Sequence, residues 1–293
     1  MKLLQWLLFT FISILIFVKT SFAQPSFPAR GFSAILDDSQ AEEKLAAFRE
    51  VFFAEPQQTV YHQAYLHRFQ FVHYPKSGRP IIHHGLLSGP FPNSSTLRVD
   101  LLSSPLEIES FASFLLIRDQ NSSRAWHYEK GGAEIKELSP ANWLLPWTLG
   151  VNHTPFDLLM PFVTWPVEYE KSGRVCGRPA HLFVFSPSQD FSRFPSSIRA
   201  VRLAIDDTYN APLRIEYMDG GILPFRIFSL QSFKKVQDQW VVKTIDAKDR
   251  DSQSRTRYEL QAVAHGLDLA PSVFQPNELR QPIVQSSISF TAL

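Results

Sequence analysis

Cysteine is almost missing from this chain: Cys176 is the only one in 293 residues. No intrachain disulfide can form, and no cage of cysteines can hold a metal or run dithiol redox chemistry. Charge is scarce as well, at 19% of the residues, and 29 basic against 28 acidic side chains leave a formal net charge of +1. That balance provides no electrostatic footprint for a nucleic acid. HExxH, CxxC, G-x-S-x-G, the P-loop and the dinucleotide fingerprint are all absent. No internal repeat and no second composition breaks the chain, so residues 24–293 read as one domain behind a leader at 1–23.

The leader has a short positive start at Met1-Lys2, an apolar run from Leu3 to Val18, and small residues around a cut after Ala23. Sixteen helical residues at about 1.5 Å each span about 24 Å, short of a hydrocarbon core near 30 Å, so cleavage is expected rather than anchoring. No cysteine stands near the cut, which argues against a lipid-modified terminus. An exported chain with one cysteine and a large core fits a bacterial periplasm. The core is generous, with 44% hydrophobic residues and 25 Phe. Packing explains that content, and so does a wide apolar interior.

Ser39-Gln40-Ala41-Glu42 reads as a capping box, and Leu45, Phe48 and Phe52 follow at helical spacing, predicting a helix over 39–53 closed by Glu55-Pro56. Glu42, Glu43, Lys44, Arg49 and Glu50 should face water. From Val60 the period falls to two. Strands are expected around Tyr65–Phe71, 81–87, 96–101, 112–118 and 124–128. After the middle of the chain they resume at 167–171, 175–185, 201–205, 213–217, 223–233, 240–246 and 255–261. Turns are expected at 119–122, at Ser172-Gly173 and at Asp219-Gly220, with a polar loop at 186–197.

Between the two runs of strand lies a different stretch. Trp143, Leu144, Leu145, Pro146 and Trp147 form an apolar cluster broken by proline. A short helix follows, with Thr154 as cap, Pro155 in the first turn and Asp157 near its positive end. Phe156, Leu159, Met160 and Phe162 supply its apolar face. A lone greasy helix between antiparallel runs needs a concave sheet to lie on. The expected fold is therefore mainly β (α+β): one strongly curved antiparallel sheet of about eleven strands, an open half-barrel covered by short helices.

Catalytic constellations do not assemble. Cys176 beside the Gly173 turn reads as a quiet thiol. His83-His84 would point to opposite faces of a strand, poor geometry for a metal. The other histidines read as surface or satisfied groups, and Asp100, Asp206, Asp207 and Asp246 as solvated carboxylates at strand ends. No enzyme, cofactor or metal is expected.

Several stretches resemble one family: Phe156-Asp157-Leu158-Leu159, the run from Tyr169 through Cys176-Gly177-Arg178-Pro179, Val201 to Asp206, Pro212 to Asp219, and the closing Ser272-Val273-Phe274-Gln275-Pro276-Asn277-Glu278-Leu279. These are similar to the LolA/LolB-like superfamily of periplasmic outer-membrane lipoprotein-sorting carriers, in its less characterised branch. The resemblance implies an open half-barrel, lidded by helices, that holds acyl chains. It departs at the arginine latch of the best-known carriers. Gly89-Pro90-Phe91-Pro92 followed by Arg98 does not match, so no latch residue carries over.

The resulting expectation is a carrier of an acylated lipoprotein or other lipid, monomeric, exchanging cargo with an inner- or outer-membrane partner. Shared parity nominates Tyr65, Phe69, Phe71, Leu97, Val99, Leu101, Val201, Leu203, Leu213, Ile215, Tyr217, Tyr258 and Leu260 as lining of the hollow. Phe156, Leu159, Met160 and Phe162 form the lid. The rival reading is an envelope sensor or scaffold on the same fold that binds a protein partner.

Overall fold

The computed structural model describes residues 34–53, 63–91, 95–105, 107, 109–118, 123–187, 198–236, 239–285 and 287–293. The leader and its cut, the helix stop at Glu55-Pro56, the turn at 119–122 and most of the 186–197 loop lie outside them. Among the described residues no helix is long and apolar enough to cross a membrane.

Alternating apolar residues build strand after strand. The first run comprises β1 (Gln63–Tyr74), β2 (Ile81–Phe91), β3 (Thr96–Leu102), β4 (Ser110–Ile117), β5 (Arg124–Glu129) and the two-residue β6 (Lys136–Glu137). The second run comprises β7 (Val167–Val175), β8 (Arg178–Phe185), β9 (Ala200–Asp206), β10 (Pro212–Met218), β11 (Arg226–Val236), β12 (Gln239–Asp249) and β13 (Ser254–Leu267), with β14 (Thr291–Ala292) added beside β13. All pair antiparallel in one unclosed 14-stranded sheet, in the order β6-β5-β4-β3-β2-β1-β13-β12-β11-β10-β9-β8-β7. The expected count of about eleven was low, partly because β6 and β14 are too short to leave a periodic signature.

This order carries the main consequence of the fold. The first run walks outward from the middle of the sheet to one free edge, and the second starts at the other free edge and walks back. Residues 138–166 must therefore cross from edge to edge. They do so as a strap: a 3₁₀ turn at Pro140–Leu144, α2 (Pro155–Leu159) and a second 3₁₀ turn at Pro161–Thr164. The helix is shorter than the sequence implied. Met160 adopts a left-handed conformation (φ 46°, ψ 49°) that ends it, and Pro161 cannot continue it, so Phe162 sits in the following turn.

Two turns also moved. Gly173 stays in β7, paired with Ala180, and the hairpin reverses instead at Cys176-Gly177. Both residues have positive φ (50° and 80°), as a two-residue turn that matches strand twist requires. Cys176 is thus an exposed turn residue rather than a strand residue. The Asp219-Gly220 signal opens a longer connection, because β11 does not begin until Arg226.

The first helix, α1 (Asp38–Phe53), is capped two residues earlier than Ser39. Asp37 and Gln40 exchange side-chain bonds to each other's backbone N–H at 2.9 and 3.1 Å. Its Ala41, Leu45 and Phe48 join the main core. Arg49, expected in solvent, reaches the carbonyl oxygens of Val163 and Trp165 on the strap, and the Lys44 ammonium reaches that of Asp207.

Candidate functional site

The concave face is apolar from one side of the sheet to the other. Tyr65, Phe69, Phe71, Leu97, Val99, Leu101, Val201, Leu203, Ile215, Tyr217, Tyr258 and Leu260 share one buried cluster, and the strap residues Phe156, Leu159, Met160 and Phe162 belong to it. Leu213 does not. A register shift between Pro212 and Arg214 reverses its parity. It packs on the convex face with Ala180 and Ala204. Aromatic rings lie flat on the strands beneath: a side chain at Gly85 would run into the Phe69 ring, and one at Gly89 into the Tyr65 hydroxyl.

The strap fills this face. Trp147 meets the Phe114 ring on β4 edge-on at 4.6 Å, Phe156 meets Tyr217 on β10 at 5.7 Å, and Phe162 meets Phe185 on β8 at 5.7 Å. Phe156, Leu158, Met160 and Phe162 are each 0% exposed. The chain's own strap therefore occupies the concave face.

Two ionisable side chains go down with the strap. The Asp157 carboxylate accepts the Tyr217 hydroxyl at 2.7 Å, the Thr154 N–H at 2.7 Å and the Thr154 hydroxyl at 2.9 Å. Burial pushes its carboxyl up to about 6, against the opposing pull of Arg226 and of those hydrogen bonds. His153 lies between the rings of Phe71 (4.7 Å) and Phe228 (5.3 Å), and among the described residues neither ring nitrogen has a hydrogen-bond partner. Burial, reinforced by Arg226, drags its imidazole down to about 3, so it is neutral at physiological pH.

Sequence reasoning missed this pair. It counted Tyr217 as a plain lining residue and the histidines as satisfied. The available signal was a His and an Asp flanking the caps of an otherwise greasy helix. Of the carboxylates expected to be solvated, Asp207 is exposed but three are buried: Asp100 pairs with Arg98 at 3.0 Å and Asp246 with Arg257 at 2.7 Å, and Asp206 pairs with Arg178. Their partners sit on neighbouring strand positions that no local motif marks. Arg98 serves the convex face, where its guanidinium also donates to the carbonyl oxygens of Val273, Glu278 and Gln281.

Comparison with known proteins comes down to the fold. A family model described as "Uncharacterized protein" matches residues 167–281. Among curated proteins none matches at a significant level. A solved domain from Vibrio parahaemolyticus named for outer membrane lipoprotein sorting superposes with a TM-score of 0.65 at 13% identity, covering 82% of this chain and 100% of that one. A DUF1329 family protein from Desulfovibrio piger gives 0.63 at 10% identity, covering 81% and 96%. A LolA superfamily protein from Nitrosomonas europaea gives 0.56 at 10% identity, covering 80% and 97%. At these identities the likeness is one of fold, and the chain has the LolA-like fold.

Proposed function

We propose that this protein is an exported, non-enzymatic carrier that shields acyl chains, of a lipoprotein or of another lipid, on the concave face of its sheet. The reading places it in the periplasm and in lipoprotein sorting, as the names of the similar structures suggest. One observation supports it above the others. The element filling an unclosed apolar face is a strap that keeps a histidine without partners and a carboxylate at its centre. A permanent core gains nothing from an unsatisfied buried polar group, which costs about 1–3 kcal/mol. In a lid that must leave the face and return, the same cost narrows the gap between closed and open forms.

The test is direct. The chain from Gln24 onward, purified without detergent, should carry extractable lipid and take up a fluorescent fatty acid saturably. A lipid-free preparation that takes up no acyl probe overturns the carrier reading. A protein partner recovered by cross-linking from such a preparation would favour the scaffold instead.

A further inference from the structure

Four adjacent strands turn from apolar to polar within two residues as they approach one rim of the concave face. On β1 Phe71 is followed by His73; on β12 Ala247 is followed by Asp249. Running the other way along the chain, Tyr258 on β13 gives way to Thr256 and Ser254, and Phe228 on β11 to Arg226. The ladder pairs Ser254 with Asp249 and Asp249 with Arg226, so these side chains form one polar row across the sheet. Of these, His73, Arg226, Asp249 and Ser254 line a cleft of about 330 Å³ together with Lys76, Gly150 and Asn152.

The hydrogen-bonding in this cleft is lopsided. Its one carboxylate is already occupied: Asp249 accepts Arg226 Nε at 3.2 Å through one oxygen, and the Ser252 N–H and hydroxyl at 2.9 and 2.8 Å through the other. The donors are not. Among the described residues, no protein acceptor meets the two terminal nitrogens of Arg226 or the ammonium of Lys76. The Thr256 hydroxyl accepts the Asn152 N–H at 2.9 Å and lies 2.9 Å from His73 Nδ1.

Surplus cationic donors at the end of an aromatic trough match one ligand shape. We propose that this rim cleft is a headgroup pocket, taking the phosphate or carboxylate of an anionic amphiphile whose chain lies along Phe71, Tyr258 and Phe228. The proposal rests on the carrier reading and gives it a polarity. In the closed form the strap holds that place: His153 sits between Phe71 and Phe228, and Asn152 bonds Thr256 and Ser254 at the cleft floor. Cargo entry then requires the 150–153 segment to lift away from the rim.

The test compares amphiphiles of equal chain length below their critical micelle concentrations. Palmitoyl lysophosphatidylglycerol should bind about ten-fold more tightly than neutral monopalmitoylglycerol, the scale of one charge-assisted hydrogen-bond set. Arg226→Gln should abolish that preference while leaving the neutral lipid unchanged, and the preference should shrink in high salt. Because Arg226 also supports Asp249, Lys76→Gln provides a second variant on an exposed side chain, expected to cut the preference about three-fold. Inorganic phosphate alone should bind at least a hundred-fold more weakly than the lysolipid, since the chain supplies most of the apolar contact. Equal binding of the charged and neutral lipids, or equal losses for both in the variants, overturns the headgroup pocket and leaves the carrier standing. Binding of neither lipid overturns both.

Discussion

The two halves of the sheet solve the same problem in different ways. In the half built from β1 to β5 both faces are buried. Leu66, Leu86, Leu102, Leu115 and Trp126 point outward, and residues 268–293 return across them, placing Val273, Leu279, Ile283 and Phe290 on that convex surface. In the half built from β7 to β12 the convex face is more open to water: around a small buried patch of Ala180, Ala204 and Leu213 it carries partly exposed ion pairs, Arg202 with Glu170 (2.6 Å) and Glu216 (2.9 Å), and Arg214 with Glu216 (2.7 Å). The first half is therefore a layer inside the protein, and the second is a wall with one wet side. A sheet face covered by its own tail reads as a near-continuous apolar run, whereas a half-solvated one alternates. The burial patterns follow this: β3 is buried from its second residue to its end, whereas β8 alternates over its last four.

The largest test of this difference is Arg98→Ala. Arg98 is 1% exposed and ties the returning tail to the first half while neutralising Asp100. Removing it strands a buried carboxylate, which also accepts the Ser113 hydroxyl at 2.6 Å, and should cost about 3–5 kcal/mol in chemical denaturation. The loss should be nearly independent of salt, because the pair is dry. A cost under about 1 kcal/mol would mean the tail is not anchored as the first half requires.

His153 lies on the seam, between Phe71 of the first half and Phe228 of the second, and offers the next test. Its folded pKa, about 3, lies below the ordinary imidazole value, so the unfolded chain takes up the proton first. The stability it contributes is therefore present above about pH 6.5 and is lost as pH falls toward 3. Asp157 works oppositely. Its folded pKa, about 6, is raised, so its contribution is full below about pH 4 and is lost as pH rises through 6. The wild type should thus show a shallow acid limb between these values. His153→Phe should gain about 2–3 kcal/mol relative to wild type on going from pH 6.5 to 4.5, measured by denaturant midpoints. Asp157→Asn should shift the opposite way over the same range. Two variants with parallel pH profiles would break the assignment of the seam.

Much of the second half was legible in the chain, because alternation survives where one face is wet. Val201, Leu203 and Ile205 against Arg202 already displayed the inner and outer faces of β9, and α1 announced itself through Leu45 and Phe48. The first half was less transparent, since nothing periodic in residues 268–293 reveals that they cover it. Strand order was hidden too. The pairing of β1 with β13 joins residues nearly two hundred positions apart, and only that pairing turns residues 138–166 into an edge-to-edge strap. Leu213 failed for a local reason: a bulge exchanges faces without leaving a mark in an alternating pattern. Asp157 and His153 failed because hydrogen-bond partners and burial are properties of the assembled face, not of the four residues that cap a helix.

The smallest expected effect is the one that sharpens the contrast. Arg202 sits on the wet wall with its side chain 31% exposed, bridging Glu170 and Glu216. Solvent screens such a pair, and Glu216 keeps Arg214 when Arg202 is lost. Arg202→Ala should therefore cost no more than about 1 kcal/mol, and less again in 1 M salt, where the screening length falls to about 3 Å. Arginine and its carboxylates are common to both sites, so chemistry cannot explain a difference between Arg98→Ala and Arg202→Ala. Only coverage by the returning tail can. If Arg202→Ala matched Arg98→Ala in size and in salt insensitivity, the convex face of the second half would have to be covered as well, and the distinction between layer and wall would be lost.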